Sequence, residues 1–340
     1  MTLAEPMVAR PITREPAIAV AGLSITARDD AGSSLPLVKD ISFTCNAGEV
    51  TALIGESGSG KSLTATALLG LLDPDVYDVR SHALSVAGYP AAPHDPESLA
   101  PIRGRKVGYI VQDPGAALDP TMKVGDQLAE LFMIHRGMSH SDARREVIRL
   151  LNLVRIPNAT ARADDYPHQF SGGMKQRVII AGAVALSPEV LIADEPTTAL
   201  DVTVQAEILT LIDDLRNEYA MGVLLITHDL GVVYQVADRV LVMYAGRIVE
   251  KGEVEAICST PAHPYTAGLL VSVPDLSRTG AVSAAIPGSP PRPGLDRGCP
   301  FAPRCFQAQS VCATDLPVLQ QSGHTMAACH FPISDGVRHG

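Results

Sequence analysis

Residues 55–62 read Gly-Glu-Ser-Gly-Ser-Gly-Lys-Ser, a pattern whose residue types and spacing suit one chemistry, the holding of phosphate. Gly55, Gly58 and Gly60, with Ser57 and Ser59 between them, let backbone N–H groups close around phosphate oxygens. A helix beginning at Lys61 adds the positive end of its dipole. Lys61 is spaced to reach the β- and γ-phosphates of a nucleotide, and Ser62 to place its hydroxyl on Mg²⁺. The bland alternative is a Gly/Ser-rich turn that binds nothing. Against it stands the order of the surroundings: an apolar strand before the loop and a helical pattern after it.

Further along, Asp194-Glu195 closes the apolar run 190–193. A carboxylate at that place can hold the Mg²⁺ hydration shell, and Glu195 is placed to polarise an attacking water. Gln112 follows the apolar run 107–111 and His228 follows 223–227. Side chains at the carboxyl ends of parallel strands point into the ligand crevice. Gln112 therefore counts as a candidate for the metal and for catalysis, and His228 for catalysis. Each alone reads as an ordinary polar loop residue; their weight is joint.

Something must position these groups. Strand patterns fall at 17–26, 38–44, 49–54, 107–111, 190–193, 223–227 and 240–245. Helical spacing covers 61–72, where Asp73-Pro74 stops it, then 124–136, 141–154, 173–185 and 204–219. Apolar strands alternating with helices imply an α/β fold with a mostly parallel sheet covered on both faces. The predicted organisation is a disordered N-terminal arm at 1–16, a nucleotide-binding domain at 17–255 and a C-terminal extension at 256–340. The domain starts with an antiparallel β portion and carries a helical subdomain at about 113–186. A short helix-like piece spans 261–274, and residues 286–303 are dense in Pro and Gly.

Composition narrows the function classes. The 340 residues are 46% apolar, enough for one or two cored domains, and the formal net charge is −10. That charge gives no overall attraction for nucleic acid or an anionic membrane surface. No run of about 18 uninterrupted apolar residues appears, and the N-terminus lacks the basic start and apolar core of a signal peptide. The expectation is a cytosolic chain, in which six cysteines are not a disulfide framework.

Taken in order, these motifs resemble those of the ATP-binding-cassette ATPases. Residues 170–177, Phe-Ser-Gly-Gly-Met-Lys-Gln-Arg, look like that family's signature segment, and 197–201, Thr-Thr-Ala-Leu-Asp, like the loop after its second phosphate motif. Ser171 also reads as a plain helix N-cap, and the two readings are compatible. The resemblance implies a P-loop NTPase core, ATP and Mg²⁺, and a head-to-tail pair of ATPase subunits. In such a pair Ser171, Gly172 and Gly173 of one chain close over the ATP held by the other, and Asp201 belongs to the same nucleotide site. Residues 256–276 look like the tail that begins in oligopeptide, dipeptide and nickel importer ATPases. Ile286-Pro287-Gly288-Ser289-Pro290-Pro291, Gly298-Cys299-Pro300-Phe301, Pro303-Arg304-Cys305 and Ala328-Cys329-His330 continue it. That subfamily implies a second, different cassette ATPase, two integral permease subunits, an extracytoplasmic solute-binding protein and no nucleic acid. It also implies a peripheral position on the cytoplasmic face of the plasma membrane. One departure stands out: the family puts an adenine-stacking aromatic where this chain has Ala27. The guanidinium of Arg28, or a residue of another chain, is the candidate replacement.

The segment holding Cys299, Cys305, Cys312 and Cys329 is too small to bury much core and needs a staple. Thiolates suit zinc or an iron–sulfur cluster. Structural zinc usually takes close Cys pairs, which are missing, so the wider spacing favours a cluster, with zinc as runner-up and free thiols third. The resemblance points the same way, to a [4Fe–4S] centre. His324 and His330 are spare ligands or, more simply, surface residues. Cys45 and Cys258 read as buried apolar fillers.

These readings converge on the ATPase subunit of a peptide importer. A nickel importer of the same subfamily is the near alternative. Of other classes, a soluble cassette ATPase acting on ribosomes or DNA usually has two cassettes or a long coiled coil, and this chain has one glycine loop and no sustained heptads. An interaction protein that binds ATP without hydrolysis has no need of Glu195 and His228.

Overall fold

The computed structural model describes residues 15–28, 34–92, 95–198, 200–272, 286–291 and 297–333. The expected N-terminal arm lies, up to residue 14, outside them, as do parts of the Pro-rich tail.

Two sheets form. The N-terminal one is antiparallel. Its β1 (Pro16–Arg28) pairs with β2 (Ser34–Asn46) along its length, with β4 (Tyr77–Arg80) through residues 24–27 and with β5 (Ala83–Val86) through 18–21. The short β6 (Tyr89–Pro90) lies beyond β5. The central sheet has five parallel strands: β3 (Val50–Ile54), β7 (Val107–Ile110), β8 (Val190–Asp194), β9 (Gly222–Thr227) and β10 (Arg239–Tyr244), in the order β10-β3-β9-β8-β7. Next to β10, β11 (Arg247–Glu253) runs antiparallel. A tail hairpin of β12 (Gln320–Ser322) and β13 (Thr325–Ala327) then extends the sheet from β11.

Every residue of β3, β8 and β9 is buried, which explains why these strands read as unbroken apolar runs. Their side chains still sort by strand alternation. Val50, Ala52, Ile54, Leu191, Ala193, Val223 and Leu225 join the core shared with the helical layer. Leu53, Val190, Ile192, Leu224 and Ile226 face the other way, onto the N-terminal sheet and α1 (Lys61–Leu68). The helical layer follows β7: α2 (Pro114–Ala117), α3 (Val124–Arg136), α4 (His140–Leu153), α5 (Ala159–Arg162) and α6 (Gly172–Val184). Two helices, α7 (Val202–Tyr219) and α8 (Leu230–Val236), connect the last core strands.

Helix α1 is shorter than its spacing predicts, ending at Leu68 instead of residue 72. Gly70 takes φ +61°. The N–H of Gly70 then bonds Ala67 O and that of Leu71 bonds Thr66 O, at 3.0 and 3.1 Å, a glycine-terminated helix end. Sequence spacing also overlooks β4 to β6, β11 and the tail hairpin. These strands are short or carry charges, and pairing with neighbours, not apolar pattern, makes them strands.

The predicted boundary near residue 255 is not a gap. Fully buried Glu250 of β11 accepts the N–H groups of Ala262 and His263, at 2.7 and 3.0 Å, and the hydroxyl of Thr325 at 2.7 Å. One carboxylate thus gathers the start of the tail and its last strand onto the core sheet. Beyond it lie α9 (Val254–Ser259), α10 (Pro264–Val271) and α11 (Ser310–Thr314).

Candidate active site

The glycine loop joins β3 to α1 at the carboxyl end of the parallel sheet. Gly55 and Gly60 take φ +153° and +107°, conformations that side chains rarely adopt. Space forbids one too, because a Cβ on Gly55 would lie 2.1 Å from the Met243 carbonyl oxygen. Ser57 and Gly58 form the exposed crown of the loop, and Ser59 is buried beneath it. The Ser59 carbonyl accepts Gly246 N–H at 2.9 Å, tying the loop to the β10–β11 turn. Lys61 is 5% exposed, and its Nζ donates to the carbonyls of Gly55 and Glu56 at 2.8 and 3.0 Å. Burial pulls its pKa below the usual lysine range, while Glu195, Asp194 and Glu56 favour the charged form.

Ser62 Oγ donates to Asp194 Oδ1 at 3.1 Å, bringing together two of the three groups expected to hold Mg²⁺, while the third, Gln112, bonds Glu195. A hydroxyl and a carboxylate are hard oxygen donors and fit that ion. Asp194 is buried, which raises its pKa, and the Ser62 bond opposes the rise. Tyr109, which shares a hydrogen bond with Asp194, is pushed up to about 12 by burial.

Glu195 gathers the remaining candidates. Gln112 Nε2 donates to its Oε2 at 3.1 Å, Thr198 Oγ1 donates to the same oxygen at 2.8 Å, and His228 Nδ1 lies 3.3 Å from Oε1. Burial alone would raise this carboxyl's pKa, but the bonds from Thr198 and His228 outweigh it and hold it below the usual range. Glu195 is therefore ionised through the neutral range, as an acceptor for a water proton must be. Its own φ is +47°, in the left-handed region where a non-glycine residue is strained. That turn bends the chain back so that Thr198 reaches the carboxylate.

Ser171, Gly172 and Gly173 stand elsewhere. Ser171 caps α6, its Oγ accepting Met174 N–H at 3.4 Å, and a Cβ on Gly173 would meet Val204 at 2.6 Å. Asp201 caps α7, accepting Val204 N–H at 3.0 Å, so these two helix starts sit side by side. No hydrogen bond among the described residues joins Ser171, Gly172 or Gly173 to the 55–62 loop. Arg28 pairs with Asp78 at 3.5 Å, and the register sets Tyr77 opposite Ala27. An aromatic residue thus stands beside the position where the sequence lacks one.

The four late cysteines line one small cavity together with His263, Phe301, Gln307, His330 and Phe331. None forms a disulfide. Burial raises the pKa of Cys299 and Cys305 and pushes Cys329 up to about 11. Among the described residues no three His, Cys, Asp or Glu side chains group closely enough to hold a metal ion, so neither the cluster reading nor the zinc reading gains support from the geometry. His330 Nε2 lies 2.8 Å from the Asp315 carbonyl, and His324 lines a separate groove beside the tail hairpin. Cys45 is fully buried, as expected of a filler, whereas Cys258 is only half-buried.

Two functional contacts escape the sequence. Thr198 lies inside the 197–201 segment, where only its closeness to Asp194-Glu195 hinted at a role. The second is the tail itself, which reaches the phosphate loop: Arg304 forms an ion pair with Glu56, with Nη1–Oε2 at 2.8 Å. No spacing rule connects residues 248 positions apart.

Comparison with known proteins finds matches over both the core and the tail. The ABC transporter family model covers residues 38–198, and that of the oligopeptide/dipeptide transporter C-terminal region covers 249–312. The oligopeptide transport ATP-binding protein OppD of Salmonella typhimurium is 46% identical over 299 residues, 88% of this chain and 89% of that protein. The dipeptide transport ATP-binding protein DppD of Bacillus subtilis is 46% identical over 298 residues, 87% of this chain and 89% of that protein. Among solved structures, a dimeric ATP-binding cassette in a post-hydrolysis state with ADP and phosphate superposes with a TM-score of 0.61 at 26% identity. It covers 70% of this chain, which spans 98% of it.

Proposed function

This chain belongs to the ABC transporter ATPases, and from that premise we propose that it is the ATP-hydrolysing subunit that powers a peptide importer. The observation that carries the enzymatic half is the Glu195 carboxylate, held ionised by Thr198 and His228 at the same sheet end as Lys61, Ser62 and Asp194. The match over 249–312 and the two peptide-transport relatives favour peptide over nickel, and transport over ribosome or DNA work.

In this reading the loop amides and Lys61 hold the phosphates of ATP, and Ser62 and Asp194 hold Mg²⁺, which supplies charge neutralisation. Glu195 orients a water and takes its proton as the oxygen bonds to the γ-phosphorus. The bond to the bridging oxygen breaks, leaving ADP and phosphate. Gln112 and His228 fix the carboxylate. Ser171, Gly172, Gly173 and Asp201 serve at the face that meets a second cassette ATPase, a different chain, beneath two permeases fed by a solute-binding protein. The chain sits at the cytoplasmic face of the membrane, consistent with the lack, among the described residues, of a helix long and apolar enough to cross it. Purification from solubilised membranes tests this. The permeases and a second ATPase are expected to co-purify, and peptide-loaded binding protein should stimulate hydrolysis. Recovery with ribosomes alone would overturn the assignment.

The role of α6 across the dimer has its own test. A Ser171→Arg substitution is expected to cut turnover of the assembled pair by about 10²-fold while leaving this chain's ATP affinity within twofold, since the bulky side chain would stand where the segment closes on the other subunit's nucleotide. Equal loss of ATP binding by the isolated chain would place Ser171 at its own site instead.

For the four cysteines the reading is a [4Fe–4S] cluster that staples the tail. What supports this reading is four thiols without disulfide partners around one cavity, together with the subfamily resemblance, since each iron of such a cluster takes one thiolate. Anaerobically purified protein should hold about four iron and four acid-labile sulfide per chain. Zinc without sulfide, or no metal, excludes the cluster.

A further inference from the structure

A glycine-rich loop loses much conformational freedom when it closes on phosphate, so whatever pre-sets it adds to affinity. Here the second loop residue, Glu56, is held at both its backbone and its side chain by groups from the C-terminal tail. Its N–H donates to the hydroxyl of fully buried Tyr265 at 2.9 Å. Its carboxylate takes a two-pronged bond from Arg304, Nη1 to Oε2 at 2.8 Å and Nη2 to Oε1 at 2.9 Å.

Arg304 is itself fixed. Its side chain is 6% exposed, its Nε donates to Pro287 O at 2.8 Å and its Nη1 to Tyr244 Oη at 3.2 Å. The guanidinium also lies over the rings of Tyr244 and Phe301, at 5.8 and 6.0 Å. Those rings pack on Tyr265 at 4.6 and 5.4 Å, so one aromatic block carries both contacts to Glu56. Planar, two-pronged pairing of this kind fixes direction as well as charge.

The charges explain why the pair matters. Glu56 is an acid inside a loop built to hold phosphate, and unpaired it would repel the ligand. We propose that Arg304 is a positioning residue for ATP: through Glu56 it neutralises and orients the phosphate loop, making the tail a working wall of the nucleotide site. This role does not depend on what fills the cysteine cavity or which solute is carried.

The test is a double-mutant cycle on the full-length chain, reading MgATP Kd by direct binding, with thermal melts to confirm folding. Arg304→Gln should raise Kd about tenfold, the scale of a lost charged hydrogen-bond pair. Glu56→Gln alone should raise it no more than about threefold, since it removes the repulsive charge along with the tie. The combined variant should bind as Glu56→Gln does, within about twofold. That rescue is the readout a merely structural Arg304 cannot produce. If Arg304→Gln does not fold, Arg304→Lys serves, keeping charge but losing the fork, with an expected rise of about threefold. Unchanged Kd in the Arg304 variants, or losses that simply multiply in the double variant, would overturn the proposal.

Discussion

The Lys61→Ala protein is expected to bind ATP about 100-fold more weakly than the unaltered chain, a loss of about 3 kcal/mol. The physical reason lies in the burial of the ammonium. At 5% exposure it has given up most of its water, and its Nζ rests on two loop carbonyls. Burial lowers its pKa, so an anion reaching it meets a charge little screened by solvent, and phosphate oxygens return the lost solvation. Three carboxylates nearby, Glu195, Asp194 and Glu56, keep it protonated. Alanine removes the cation and leaves those acids facing the phosphates. Direct titration with nucleotide at physiological salt checks this, alongside a melt to show that the fold is retained. Affinity within threefold of the unaltered chain would mean that backbone N–H groups and the helix dipole suffice.

The second large effect is on turnover. Glu195→Gln should reduce the rate of hydrolysis by about 10²- to 10³-fold while ATP affinity changes little, the usual scale for removing a proton acceptor. The amide keeps the shape and can still bond Thr198 and Gln112, but it cannot take a proton from water. Hydrogen bonds from Thr198 and His228 hold the Glu195 carboxyl below the usual range, as a proton acceptor requires. Single-turnover hydrolysis with the partner's site disabled is the measurement. The variant is expected to hold ATP with its partner, and near-normal turnover would move the catalytic role to another group.

Much of this site was legible in the sequence because its chemistry is local. Gly55, Gly60, Lys61 and Ser62 act through backbone shape and short reach, so their spacing alone states a phosphate cradle. Gln112 and His228 were singled out by a rule of topology, that a side chain after a buried parallel strand faces the ligand crevice, and Asp194 by its place at the end of such a strand. Apolar runs placed the five core strands, and helical spacing placed α3, α4, α6 and α7, because buried faces impose their period on the residues. Strands β4 to β6 and the tail hairpin escaped because edges made by partner hydrogen bonds leave little apolar signal. The true end of α1 was visible after all in Gly70, which the Asp-Pro pair overshadowed.

Sequence by itself determined the phosphate chemistry, the parallel core and the likeness to cassette ATPases, since each follows from residues near one another in the chain. Only the tertiary structure decided that Gln112, Thr198 and His228 meet on one carboxylate. It alone showed that Glu250 draws the tail onto the core sheet and that Arg304 clamps Glu56. Those are pairings of charge and hydrogen bond across long loops. Their energy depends on distance and desolvation after folding, and neither quantity is written in the spacing of residues along a chain.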